Sequence, residues 1–112
     1  MSQLVDPLPA HRFDEAALHD YLAAHLPEAA GPFRVRQFQG GQSNPTFLLE
    51  GEGWRMVLRK KPSGALLKSA HQVEREYRVI SALQGSAVPV PRSLLLCEDA
   101  GVIGTAFYLM DY

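Results

Sequence analysis

AHQVEREYRVISALQ, residues 70–84, predicts a helix with one buried face, because its apolar residues recur at helical spacing. The predicted apolar arc consists of Val73, Tyr77, Val79, Ile80 and Leu83. At about 100° per residue, Glu76 lies only about 60° from Val73, inside this arc. An ionised carboxylate in apolar surroundings is unfavourable unless a cation meets it. The sequence therefore predicts a cationic partner for Glu76.

Candidate partners lie in the preceding strand-like run WRMVLRKK, residues 54–61. Successive side chains of a strand point to opposite faces, so Arg59 and Lys61 share one face with Val57, and Lys60 lies on the other face with Met56 and Leu58. Both faces carry apolar residues, and the three cations are similarly distant from the helix along the chain. Parity alone leaves the choice of partner open.

The remaining elements follow from capping residues, alternation and glycine turns. Asp14 can cap a helix that runs to about Leu26, and Gly85 can end the helix that carries Glu76, for which Ser69 is a candidate cap. The predicted strands span residues 33–39, 46–50, 54–60, 93–97 and 105–111. Short connections between strands favour an α+β fold: a five-stranded antiparallel sheet packed by one main helix, with an extra amino-terminal helix.

Composition predicts one soluble domain, with 112 residues of which 46% are hydrophobic and 21% charged. The longest apolar runs are only a few residues, so no membrane-spanning segment is expected. The start MSQLVDPLPAHRFDE lacks a basic region followed by an apolar stretch, which makes a cytoplasmic location the expectation. Cys97 is the single cysteine and is interpreted as a buried strand residue.

Charge is unevenly distributed, since residues 31–80 carry nine Lys and Arg against four Asp and Glu. This excess favours an anionic ligand weakly, although ordinary solvated faces explain most of these charges. The basic residues are not interleaved with aromatic residues, so a nucleic-acid partner is not expected.

Four motifs together resemble the amino-terminal lobe of the aminoglycoside phosphotransferase-like small-molecule kinases, which are distant relatives of protein kinases. These motifs are GGQSN at 40–44, VLRKK at 57–61, VEREYRVISAL at 73–83 and FYLMDY at 107–112. The chain is particularly similar to the kinase-like domain linked to some acyl-CoA dehydrogenases. The resemblance implies a kinase-like N-lobe at 33–112 that ends at the hinge between lobes, preceded by an amino-terminal segment at 1–32.

The resemblance implies a nucleotide site that binds ATP. The loop that covers the phosphates is matched by Gly40, Gly41, Ser43 and Asn44, where glycines permit close backbone approach. No Gly-Lys-Ser/Thr follows, so this is not a Walker loop. Val57 would face the adenine, and Met110 would guard the back of its pocket. The main-chain carbonyl of Asp111 would accept a hydrogen bond from the adenine amino group.

The same resemblance selects one cation for Glu76. Arg59 occupies the position of the kinase lysine that contacts the α and β phosphates, and Glu76 matches the helix glutamate that holds it. Most kinases have lysine there, and the larger planar guanidinium is not equivalent to a point charge. Lys61, on the same face, stays an alternative for the phosphate contact.

No residue here matches the catalytic base or the Mg²⁺-binding aspartate, which family members place in a second, helical lobe. The chain is therefore expected to be a fragment of a longer kinase, inactive without its C-lobe and contacting that lobe or another chain at the hinge edge. The expected acceptor is a small hydroxylated compound, with an acyl-linked one favoured by analogy. Two alternatives are a non-catalytic nucleotide- or protein-binding module and an interaction domain that pairs strands with another copy.

Overall fold

The computed structural model describes residues 3–7, 12–39, 45–60 and 72–112. Two helices lie in this part of the chain, α1 at Glu15–His25 and α2 at Gln72–Ala82, with a 3₁₀ turn at Pro27–Ala29 after α1. The strands are β1 at Gln3–Val5, β2 at Phe33–Gln39, β3 at Thr46–Gly51, β4 at Trp54–Lys60, β5 at Ser93–Cys97 and β6 at Phe107–Asp111.

The strands form one antiparallel sheet in the order β1-β2-β3-β4-β6-β5. The α+β class and all five predicted strands are confirmed, but the count of five is wrong because β1 adds an edge strand paired with β2. A three-residue strand is too short to show the alternation that identifies strands in a sequence. The last strand also begins later than predicted, at Phe107 instead of Thr105.

The apolar core lies mainly between the sheet and α1. The Asp14 Oδ1 atom accepts a hydrogen bond from the Ala17 amide at 3.0 Å, which confirms the predicted cap. Leu18 and Leu22 of α1 are fully buried, and the strands contribute Phe47, Leu49, Leu58, Phe107 and Leu109 to the same core. The prediction of α2 as the main packing helix is therefore wrong, since α1 covers the larger apolar face.

Helix α2 packs against the opposite face, chiefly against β5 and β6 at one side of the sheet. Because this contact covers only a narrow stripe, Val73 is buried, whereas Val79 is 54% exposed and does not belong to the buried arc predicted for it. Glu74, which helical periodicity did not assign to the buried arc, is also buried. Gly85 follows the helix with φ +76°, a conformation suited to glycine, as predicted for its end. Ser69, the predicted cap, lies outside the described residues.

Candidate functional site

Two neighbouring strands present side chains to the same carboxylate of α2. Arg59 of β4 lies directly opposite Tyr108 of β6 in the antiparallel ladder, so both side chains point to the α2 face. The Arg59 Nη2 atom lies 3.4 Å from Glu76 Oε2, and the Tyr108 hydroxyl donates to Glu76 Oε1 at 3.0 Å. The predicted contact between Arg59 and Glu76 is confirmed, and Tyr108 is a partner that the sequence did not reveal.

This cluster is largely shielded from water. The side chains of Arg59 and Glu76 are 23% and 26% exposed, so their attraction is screened less than that of a surface pair. The Nε atom of Arg59 is buried and makes no hydrogen bond within the described part of the chain. A guanidinium carries five N–H donors, so the contact with Glu76 leaves donors for an anionic ligand.

Tyr108 is a hydrogen-bond donor whose proton is firmly held. Burial raises the pKa of the Tyr108 hydroxyl well above its usual value, and the negative charge of Glu76 raises it further, while Arg59 acts in the opposite direction. The hydroxyl is therefore neutral at physiological pH. It can therefore donate a hydrogen bond to the Glu76 carboxylate.

Lys60 points to the other face of the sheet, as alternation requires. It is only 1% exposed, and its Nζ atom lies 6.0 Å from the ring centres of both Phe13 and Phe47. Burial lowers the pKa of the Lys60 ammonium group. The tertiary structure thus decides between the two neighbouring cations, because only Arg59 lies on the α2 face with Glu76. Lys61 falls outside the described residues.

A cleft of about 480 Å³ adjoins the cluster between α2 and the sheet. Its lining combines charged and apolar side chains: Arg59, Arg75, Glu76, Val79, Ile80 and Tyr108. An open cleft with guanidinium groups beside apolar surface suits a ligand or a protein segment that carries negative charge.

Two of the predicted adenine-side residues, Val57 and Met110, lie on the α2 face of the sheet. Val57 is buried and lies opposite the half-buried Met110 in the β4–β6 ladder, so the structure brings these two residues together. Asp111 ends β6, where its amide donates to the Arg92 carbonyl oxygen at 2.9 Å. The Asp111 carboxylate accepts from the Arg92 guanidinium at 3.1 Å. The role of the Asp111 carbonyl toward adenine stays a prediction.

An aromatic pair extends this face, and it was not singled out from the sequence. The rings of Phe38 and Tyr112 stack with centres 6.2 Å apart and an interplanar angle of 24°. The guanidinium of Arg55 lies 5.3 Å from the centre of the Tyr112 ring. The only sequence signal for this pair was the shared parity of Phe38 with the other α2-face positions of β2.

The predicted phosphate-covering residues Gly40, Gly41, Ser43 and Asn44 lie outside the described residues, so their role stays a prediction. Across the described ranges, no three His, Cys, Asp or Glu side chains are grouped to hold a metal ion. Neither α1 nor α2, nor any other described segment, forms a helix long and apolar enough to cross a bilayer.

The chain is similar to known proteins along nearly its whole length. The model of the phosphotransferase enzyme family (APH) matches residues 34–112. Acyl-CoA dehydrogenase family member 11 from Gallus gallus is 52% identical over 106 residues, which cover 91% of this chain and 14% of that protein. Acyl-CoA dehydrogenase family member 10 from Mus musculus is 53% identical over 97 residues, or 86% of this chain and 9% of that protein.

A solved structure shares the fold. A crystal structure from Ralstonia eutropha JMP134, whose name assigns it to the aminoglycoside phosphotransferases, matches with a TM-score of 0.77 and 48% identity. The match covers 90% of this chain and 28% of the other. The chain thus spans a small part of each of these relatives.

Proposed function

The chain belongs to the phosphotransferase enzyme family, and we propose that it forms the nucleotide-binding lobe of an ATP-dependent kinase that phosphorylates a hydroxyl of a small molecule. The observation that carries the proposal is the contact between Arg59 and Glu76, which joins the central strand β4 to α2. This contact presents a partly buried cation, whose Nε donor has no hydrogen bond among the described residues, on the face that also holds Val57 and Met110. A nucleotide needs both features, an apolar surface for its base and positive charge for its phosphates.

In the proposed site, Arg59 binds the phosphates and Glu76 restrains it. Arginine binds phosphate oxygens through a planar fork of N–H groups and stays charged at all physiological pH values. The Glu76 carboxylate limits the rotamers open to the guanidinium, which lowers the entropy lost when the phosphates bind. Val57, which lies opposite Met110, is the apolar side chain that would contact the adenine in this proposal.

The described residues do not fit a Mg²⁺ site, because they contain no grouped acidic side chains of the required number. We assign the Mg²⁺ ligands and the catalytic base to a second lobe, which is consistent with the 28% share of the Ralstonia structure that this chain covers. Phosphoryl transfer needs both groups in place. The 112-residue chain alone is therefore expected to show no ATP turnover, and appreciable turnover would refute the assignment.

The acceptor in this proposal is a hydroxylated acyl compound. The relatives that cover most of this chain carry the name acyl-CoA dehydrogenase, which places a similar segment beside acyl chemistry. A kinase in the same protein would have access to acyl compounds that bear a hydroxyl group. Phosphorylation of a short hydroxyacyl compound, but not of an aminoglycoside, is the expected result of an acceptor screen with the full-length protein.

The central test is Mg²⁺-ATP binding to a full-length protein that contains this chain, measured by titration calorimetry. Arg59→Ala should weaken binding about tenfold or more, because a charge-assisted contact to phosphate is lost. The matched control is Arg78→Ala, which removes the same charge from an exposed position of α2. Equal binding by wild type and Arg59→Ala, or no binding by wild type, would contradict the proposed site.

A further inference from the structure

Tyr108 makes the shortest described contact of the Glu76 carboxylate. Its hydroxyl lies 3.0 Å from Oε1, whereas the Arg59 Nη2 atom lies 3.4 Å from Oε2. The two partners therefore use different oxygens and do not compete. Either contact can persist when the other is lost.

The position of the Tyr108 hydroxyl is determined by the sheet and by α2 together. The residue is 1% exposed and lies opposite Arg59 in the ladder, so its side chain must project toward α2. Its ring also packs against Tyr77 of α2, with ring centres 5.8 Å apart and an interplanar angle of 60°. The sheet and the Tyr77 ring together fix the orientation of the Tyr108 ring, so its hydroxyl stays beside Glu76.

The contact between Arg59 and Glu76 weakens if the guanidinium turns toward phosphate, and a partly buried carboxylate is less stable when its contacts are reduced. A donor on the other oxygen lowers this cost. Tyr108 supplies that donor, and it does so from the strand next to Arg59.

We propose that Tyr108 is a positioning residue of the nucleotide site, which holds Glu76 and α2 in place while Arg59 binds phosphate. The inference rests on the proposed function and adds a third member to its charge clamp. Tyr108 acts through Glu76 and does not touch the nucleotide. Removal of its hydroxyl should therefore impair nucleotide binding only when residue 76 is able to accept the hydrogen bond.

The test is a double-mutant cycle on Mg²⁺-ATP affinity in the full-length protein. Tyr108→Phe alone is expected to weaken binding about tenfold, in line with loss of one hydrogen bond to a charged group. In the Glu76→Ala background, the same change should weaken binding less than twofold, because the acceptor of the hydrogen bond is gone. The control is Tyr77→Phe, which removes a hydroxyl from the adjacent ring and leaves the contacts of Glu76 with Arg59 and Tyr108 in place.

The outcomes separate this inference from the proposed function. If wild type binds Mg²⁺-ATP and Arg59→Ala weakens it, but Tyr108→Phe has no effect, only the inference fails. Equal effects of Tyr108→Phe in both backgrounds would indicate a purely structural role and would also overturn it. If Tyr108→Phe does not fold, 3-fluorotyrosine at position 108 replaces it. This residue is a stronger donor, so affinity at or above that of wild type supports the inference and weaker binding overturns it.

Discussion

Glu76→Gln tests the charge clamp most directly, since glutamine retains the shape of the side chain and an acceptor oxygen for Tyr108. The negative charge opposite Arg59 is removed, and the NH2 group that replaces Oε2 cannot accept from the guanidinium. The substitution thus separates the ion pair from the hydrogen bond, which truncation to alanine would not do.

The magnitude follows from the geometry. Two unit charges 3.4 Å apart attract by about 5 kcal/mol at an effective dielectric constant of about 20. Desolvation of two groups that are about three-quarters buried offsets much of this attraction, and removal of one partner also leaves Arg59 with an unbalanced charge. We expect a net loss of about 1–3 kcal/mol in the free energy of unfolding, together with about tenfold weaker Mg²⁺-ATP binding.

Denaturant unfolding and titration calorimetry on the full-length protein measure the two effects. Because the pair is partly buried, the loss of stability should change little between 0.05 and 0.5 M salt, whereas a surface pair would lose most of its contribution over a range of about this size. The reasoning is refuted if Glu76→Gln leaves both unfolding and nucleotide affinity unchanged within error. A strongly salt-dependent effect would refute the partly buried location of the pair.

Two further predictions concern the side of the sheet that packs against α1, and denaturant unfolding at different pH values measures both. Lys60 has a lowered pKa in the folded state, so the unfolded chain binds more protons up to about pH 10.5 and wild-type stability rises with pH in that window. The stability of Lys60→Met relative to wild type should therefore fall as the pH approaches 10.5, and a constant difference would contradict burial of the ammonium group. Burial, with smaller contributions from Cys97 and Asp99, raises the pKa of Tyr21 to about 12, so the stability it contributes is complete below about pH 10 and is lost as the pH rises toward 12. Tyr21→Phe should flatten this alkaline decline, and an unchanged slope would argue against the assignment.

Local patterns predicted most of the secondary structure. Alternation and the glycine turn around Gly53, which has φ +82°, located β3 and β4 to within a residue. Asp14 located the start of α1 through its capping side chain. β1 was missed because three residues carry no detectable period, and Val79 was misplaced because α2 buries a narrower stripe than its apolar arc suggested.

Periodicity in the sequence was enough to place Glu76 within the apolar arc of α2, to predict a cation beside it and to identify the cations that could serve. Helical and strand periodicities are properties of the local chain, so they can be recognised without knowledge of the tertiary structure. The family resemblance selected Arg59 as the partner of Glu76, and the structure confirms this contact.

The contacts of the Glu76 carboxylate with Arg59 and Tyr108 depend on the strand order of the sheet. Tyr108 is remote from Arg59 along the chain, and the two become neighbours because β6 lies between β4 and β5 in the sheet. Strand order depends on long-range packing of the whole sheet, which no local pattern encodes. The same packing placed Lys60 near the rings of Phe13 and Phe47 on the opposite face and left Arg59 with Glu76, so the sequence specified the charges and the fold determined which of them come into contact.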